Sequence, residues 1–295
     1  MQLNRRALLM TSAAAAAGLT LTRQAAAVDI PKPAKEGVLN LSSQLGIIPG
    51  KEVAEKLAKM QEWGFAGVEL PSDIVGQEKK FLDAIANTDM KFSAVCWGSH
   101  NGDLVSEDVS KRKKGVEDLK KVLAVAGELK STGVIYVPAF NGQTKLTNQE
   151  IRQVLLETFP AIGEYAVSVN SRVLLEPLNR GEAYFLRQVA DGASICRDIN
   201  SPGVQMMGDF YHMCIEETSD MGAFISAGPM LHHVHLASRI RVLPGQDERS
   251  FVDGFRGLKL IGYQDYCSYE CGVKGDANVE IPKSMQFLRD QWAQA

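Results

Sequence analysis

Residues 173–209 read VLLEPLNRGEAYFLRQVADGASICRDINSPGVQMMGD. A β-rich run, Val173–Leu178, gives way to a Gly- and Asn-bearing turn and then to an amphipathic stretch, Ala190–Ile199. A second β-rich run follows at Val204–Gly208. Strand, helix and strand in this order make one βαβ unit, with a carboxylate at or just beyond the end of each strand, Glu176 and Asp209.

The same rhythm extends in both directions. Upstream, strands are predicted at Val38–Ser42, Gly67–Leu70, Phe92–Trp97 and Val134–Pro138. Helices fall between them at Lys51–Trp63, Lys80–Asn87 and Glu107–Ser131, and helix Asn148–Val169 leads into the quoted stretch. Downstream come helix Met221–Ser226, strand His232–Leu236, helix Phe251–Ile261, strand Asp265–Glu270 and helix Pro282–Trp292. Alternating strands and helices imply a parallel sheet with right-handed crossovers. Eight units in this length predict an α/β fold, a single closed (β/α)8 TIM barrel over residues 28–295, rather than an open doubly wound sheet. No GxGxxG follows a strand, so the usual dinucleotide fingerprint is missing.

Met1–Ala27 stands outside this rhythm. It carries Arg5, Arg6 and Arg23, no acidic residue, an alanine-rich apolar segment, and ends Ala25-Ala26-Ala27. That order reads as an export signal. The pair Arg5-Arg6 before a mildly apolar stretch resembles a twin-arginine leader, which implies bacterial export machinery and a periplasmic or otherwise exported product. The apolar part of Ala7–Leu21 is short for a membrane span. Without the leader the charge is 29 basic against 35 acidic residues, or −6, compared with −3 for the whole chain. This balance disfavours nucleic acid as a partner. At 45% hydrophobic and 23% charged residues, the composition excludes disorder and a multi-span membrane protein. Five cysteines cannot all pair within one chain. Cys267 and Cys271 read as members of one strand, too far apart for a disulfide, and all five are expected to be small, mostly buried apolar residues.

Active sites of such barrels lie at the C-terminal ends of the strands. There the sequence offers Glu69, Trp97 with His100, Glu176, Asp209 with His212, His235, and Glu270. Glu176, Asp209, His235 and Glu270 are spaced 33, 26 and 35 residues apart, about one βα unit each, and should share one mouth. Three carboxylates and one imidazole form an oxygen-rich donor set that suits one divalent ion, Mn²⁺ first, with Mg²⁺, Co²⁺ or Zn²⁺ as alternatives. Around them stand Glu176-Pro177-Leu178-Asn179-Arg180-Gly181-Glu182, Asp209-Phe210-Tyr211-His212, and His235 followed six residues later by Arg241.

These elements resemble the xylose-isomerase-like TIM barrels, especially ketose 3-epimerases and hydroxypyruvate isomerases. The resemblance spans nearly all of the chain after the leader and is densest over Val173–Gly272. It implies that Glu176, Asp209, His235 and Glu270 ligate the metal, that Glu182, His212 and Arg241 hold a small carbohydrate, and that Glu176 and Glu270 form a catalytic acid/base pair. In the first half, Cys96-Trp97-Gly98-Ser99-His100 and Phe140-Asn141-Gly142 are placed near the substrate without an assigned role. Glu69 is a substrate-contact candidate, His100 reads as a loop histidine, and His232 and His233 read as packing residues.

The implied chemistry is proton removal beside a ketone, giving an enediolate that a divalent ion stabilises. Return of a proton to the same carbon from the other face gives an epimer, and return to the neighbouring carbon gives an isomer. The alternative is an exported 3-keto-glycoside lyase or hydrolase, in which the same intermediate expels a β-linked group. A DNA-directed phosphodiesterase of this superfamily would need a histidine-rich trinuclear zinc site, and five histidines are too few. A non-catalytic sugar-binding barrel would be expected to lack one of the two glutamates. The oligomeric state is left open, with a homo-oligomer as one alternative.

Overall fold

A computed structural model describes residues 33–295 of the chain. The export-type leader expected at Met1–Ala27 lies outside the described residues. Strands β1 (Asn40–Gln44), β2 (Gly67–Leu70), β3 (Lys91–Gly98), β4 (Val134–Tyr136), β5 (Val173–Leu175), β6 (Val204–Asp209), β7 (Leu231–Leu236) and β8 (Tyr266–Tyr269) pair in parallel and in sequence order. β8 pairs back onto β1, with Leu41 opposite Cys267 and Ser43 opposite Tyr269, and this closes the barrel.

The helices are α1 (Val53–Trp63), α2 (Glu78–Ile85), α3 (Val109–Glu128), α4 (Asn148–Ser168), α5 (Val189–Ile199), α6 (Phe210–Glu216), α7 (Asp220–Ala227), α8 (Val252–Leu260) and α9 (Ala277–Gln294). Their starts follow from local chemistry. Thr147 and Glu150 form a reciprocal capping box on α4, and Asp108, Ser219 and Asp276 each accept a backbone N–H at the starts of α3, α7 and α9. Among the described residues, no helix is long and apolar enough to cross a membrane.

Side chains alternate across each strand, and in a closed barrel this separates an inner from an outer set. The outer set packs under the helices: Val68 and Leu70, Val173 and Leu175, Leu231, Val234 and Leu236, Cys267 and Tyr269 belong to one large apolar cluster. The inner set is smaller and layered. Ala94, Ile135, Leu174 and Met207 form a separate apolar cluster, beside a polar contact in which the Ser42 hydroxyl donates to that of Ser93 at 2.7 Å. The next inward positions above Leu174, Met207 and His233 are Glu176, Asp209 and His235. The barrel is thus plugged by its own side chains below and becomes polar at its C-terminal mouth.

The structure differs from expectation in detail. β5 ends at Leu175, three residues earlier than predicted; Pro177 has no N–H to donate to a neighbouring strand. α6 was not anticipated; it begins immediately after β6, with Asp209 as its cap. β8 ends at Tyr269, so Cys271 lies beyond the strand that was expected to carry it. All five cysteines are free, Cys196 and Cys267 buried and Cys96, Cys214 and Cys271 half-buried.

Candidate metal centre and substrate site

The four residues expected to share one mouth do so. One donor atom from each of Glu176, Asp209, His235 and Glu270 lies within 4.8 Å of the others. His235 Nδ1 is 3.1 Å from Glu270 Oε2, 3.5 Å from Glu176 Oε1 and 4.0 Å from Asp209 Oδ2. Asp209 and His235 sit opposite each other in adjacent strands. Asp209 Oδ1 accepts the Tyr211 N–H at 2.7 Å, which fixes the carboxylate and aims Oδ2 at the cluster. There, Asp209 Oδ2 and His235 Nδ1 are both buried and make no hydrogen bond. A buried carboxylate oxygen and a buried imidazole nitrogen, both without a hydrogen-bond partner and converging on one point, are what a cation would satisfy.

Electrostatics agree. Burial opposes a charge on His235, yet the carboxylates of Glu69 and Glu270 draw a proton onto it well above the usual imidazole range, a positive charge that a cation bound at Nδ1 would replace. Burial likewise works against an ionised Glu270, but His235 and Arg241 hold its carboxyl down to about 2. Burial pushes the Glu176 carboxyl up, with His235 acting against it. The cluster calls for positive charge, and three carboxylate oxygens with one imidazole nitrogen fit a hard divalent ion.

The residues expected to hold the substrate stand on one flank. Asn179 organises them. Its backbone N–H donates to His212 Nδ1 at 3.2 Å, its side-chain amide lies 2.8 Å from the same atom, and that amide donates to Glu182 Oε1 at 2.9 Å. Because Nδ1 accepts from a backbone N–H, the proton of neutral His212 resides on Nε2. That N–H faces Asp209 Oδ2 at 3.4 Å. Arg241 bonds Glu270 Oε2 and lies 3.4 Å from Asp209 Oδ2, while its guanidinium stacks 4.5 Å from the Tyr211 ring centre. Arg241 occupies the left-handed region at φ 56°, where a side chain is strained; its N–H donates to Ser238 O and its carbonyl accepts from Gly272, locking the turn. Glu182 lies on the rim, and its loop is braced by Asn141, whose side chain donates to Arg180 O and Gly181 O. Arg180 in turn donates through its backbone N–H and guanidinium to the buried Glu216 on α6.

The other flank is a cavity of about 280 Å³ beside Glu270, lined by Gln44, Leu45, Leu70, Pro71 and Cys96 among others. Burial pushes the Cys96 thiol well above its usual range, so it is an inert wall rather than a nucleophile. The cavity lies near the lower end of small-ligand pockets, a scale that suits one sugar ring.

Residues 57–291 match the family model of the xylose isomerase-like TIM barrel. The chain belongs to this family. It is 27% identical over 252 residues to 3-dehydro-D-guloside 4-epimerase of Escherichia coli, covering 81% of this chain and 95% of that one. It is 24% identical over 220 residues to a probable ketose 3-epimerase of Synechocystis, covering 71% and 75%. Among solved structures, apo 3-keto-D-glucoside 4-epimerase from E. coli superposes with a TM-score of 0.78 at 25% identity, covering 86% of this chain and all of that one.

The structure refines several sequence-based readings. Glu69 lines the cavity beside Glu270 but is only 1% exposed, and its oxygens are tied to Gln44, His233 and His235. His233 is therefore part of a polar network rather than simple packing, whereas His232 pairs with Asp265 at 2.7 Å. His100 stacks on Trp97 with ring centres 4.7 Å apart and contacts Asp118 at 3.2 Å, consistent with a loop histidine. Asn179 stands inside the motif Glu176–Glu182, while nothing in the sequence spacing marks Glu216.

Proposed function

We propose that the protein is a divalent-metal-dependent epimerase of a keto-sugar that inverts the carbon beside the ketone. The observation that supports this reading best is the pairing of Glu176 and Glu270 at one cation-seeking cluster. The two arrive from β5 and β8, with β6 and β7 between them, and therefore approach from different sides. An ion held by Glu176, Asp209, His235 and Glu270 would supply Lewis-acid stabilisation of the charge that develops on the substrate oxygens. One glutamate takes the C–H proton from its face of the sugar, and the other returns a proton to the same carbon from the opposite face. Nothing is gained or lost except the configuration at that carbon. His212 Nε2–H and the Arg241 guanidinium donate to the substrate oxygens, and Glu182 accepts from a hydroxyl at the rim. Asn179 holds two of these groups, so the substrate meets a prearranged wall.

The similarity to the E. coli 4-epimerase over nearly all of its length favours a 3-keto-glycoside as substrate class, with free ketoses next. An export leader at Met1–Ala27 would bring the enzyme to such glycosides outside the cytosol, through the twin-arginine machinery. The test is proton exchange: the metal-loaded protein is incubated in D₂O with 3-keto-glycosides and with ketoses. Deuterium at the carbon next to the ketone, with the glycosidic bond intact, is expected. Release of the aglycone would replace this reading with the lyase or hydrolase. No exchange by the parent, together with sugar binding unchanged in Glu176→Gln and Glu270→Gln, would end the case for catalysis.

A further inference from the structure

One buried carboxylate has no part in the proton transfers. Glu69, one residue before the end of β2, faces the barrel interior at the cavity beside Glu270 and is only 1% exposed. Its oxygens meet three nitrogen groups: Gln44 Nε2 donates to Oε1 at 2.8 Å, His233 Nε2 lies 2.8 Å from Oε2, and His235 Nε2 lies 3.0 Å from Oε2 and 3.2 Å from Oε1. An ionised carboxylate only accepts, so both imidazoles present Nε2–H to it. In neutral His235 this leaves the lone pair on Nδ1, the atom that faces Glu270, Glu176 and Asp209 and makes no hydrogen bond.

We infer that Glu69 is a positioning residue for the metal centre: by accepting the Nε2–H of His235 it fixes the tautomer and ring plane that make Nδ1 a ligand. The network around it fits this role. Gln44 bridges the two layers, donating also to Glu270 Oε1 at 3.1 Å, so the supporting carboxylate and a ligand carboxylate are held by one amide. His233 packs edge-on against His235, with ring centres 5.2 Å apart and planes at 85°, and limits rotation of that ring. A carboxylate with no such task is a costly occupant of a barrel interior, where an apolar side chain would avoid its desolvation. Carboxylate–histidine–metal arrangements of this kind orient ligands and raise their basicity, and their loss weakens metal binding by roughly 10–100-fold.

The inference rests on the reading of Glu176, Asp209, His235 and Glu270 as metal ligands, and the test separates the two. Mn²⁺ affinity is measured by EPR titration on the full chain, with no substrate, for the parent, Glu69→Leu and Glu69→Gln. Glu69→Leu, which removes the acceptor, should weaken binding roughly 10–100-fold. Glu69→Gln keeps the shape and one acceptor oxygen and should fall between the two, which preserves the test if the leucine variant folds poorly. In Zn²⁺-loaded parent labelled with ¹⁵N-histidine, His235 should show metal-bound Nδ1 and a hydrogen-bonded Nε2–H. A His235 bound through Nε2, or parental affinity in both variants, overturns the inference and leaves the metal reading standing. A parent that binds no divalent ion overturns both.

Discussion

Removing a divalent ion from this cluster should destabilise the whole barrel. The donor atoms of Glu176, Asp209 and Glu270 lie within 4.8 Å of one another. At that separation two carboxylates repel by about 3.5 kcal/mol in an effective dielectric of about 20. His235 and Arg241 offset only part of this, since each also stands among its own partners. A divalent ion converts every one of these contacts from repulsion between ligands to attraction toward a shared centre. At 1 mM, an ion binding 100 to 1,000 times below that concentration stabilises by about 2.7–4.1 kcal/mol. For a domain of this size, each kcal/mol moves Tm by about 2–4 °C, so adding Mn²⁺ after EDTA treatment should raise Tm by roughly 5–15 °C.

Asp209→Asn supplies the control. Asparagine caps a helix as well as aspartate does, so α6 keeps its start, while the Oδ2 charge aimed at the cluster is gone. Calorimetry should then find a metal-free Tm within about 4 °C of the parent, equivalent to about 1 kcal/mol, and a metal-induced rise cut to a small fraction. If the parent shows no metal-dependent shift, the cluster is an internal ion-pair network. If Asp209→Asn shows the parent's full shift, the ion binds elsewhere. Either result would refute the argument from converging polar atoms without partners.

Other perturbations test neighbouring parts. Arg241→Lys keeps a charge but loses the planar group that stacks on Tyr211 and reaches both Glu270 and Asp209. It should lower kcat/KM for the exchanging sugar by roughly 10–100-fold, the worth of one charge-assisted contact of about 1.5–3 kcal/mol, and equal rates would remove Arg241 from the substrate wall. Hydrogen bonds from Arg180 hold the Glu216 carboxyl below its usual range, with burial acting against them. A depressed carboxyl contributes stability above its unfolded pKa of about 4.3, and that contribution is lost as pH falls through the folded value. Glu216→Gln should therefore lower Tm at pH 7 by a few degrees, with the gap closing in acid; a gap that persists at pH 2 would locate the effect in packing. Gly254→Ala would place a Cβ 2.4 and 2.6 Å from the ring of Phe210, which directly follows Asp209. Chemical denaturation should register a loss of about 1–3 kcal/mol, and an unchanged midpoint would mean the ring moves freely.

The candidate metal cluster was legible because its members obey a one-dimensional rule. Each stands within one residue of a strand's C-terminal end, and consecutive strands of a barrel recur at the spacing of one βα unit, so 33, 26 and 35 residues translate directly into proximity. Glu216 escaped because α6 starts without any intervening loop after β6, so its seven residues carry no separate punctuation. Glu69 and His233 escaped for another reason: they are 164 residues apart and meet across the barrel interior, where chain spacing says nothing about which strands face each other. Half of that contact was nevertheless implicit in strand parity. Alternation places His233 on the same face as His235, inside the barrel and not under the helices, and a buried imidazole there needs a polar partner. With β4, β5 and β6 presenting Ile135, Leu174 and Met207 at that depth, the partner must come from the opposite wall. A carboxylate near the end of β2 meets that requirement, and Glu69 reaches both His233 and His235 from there.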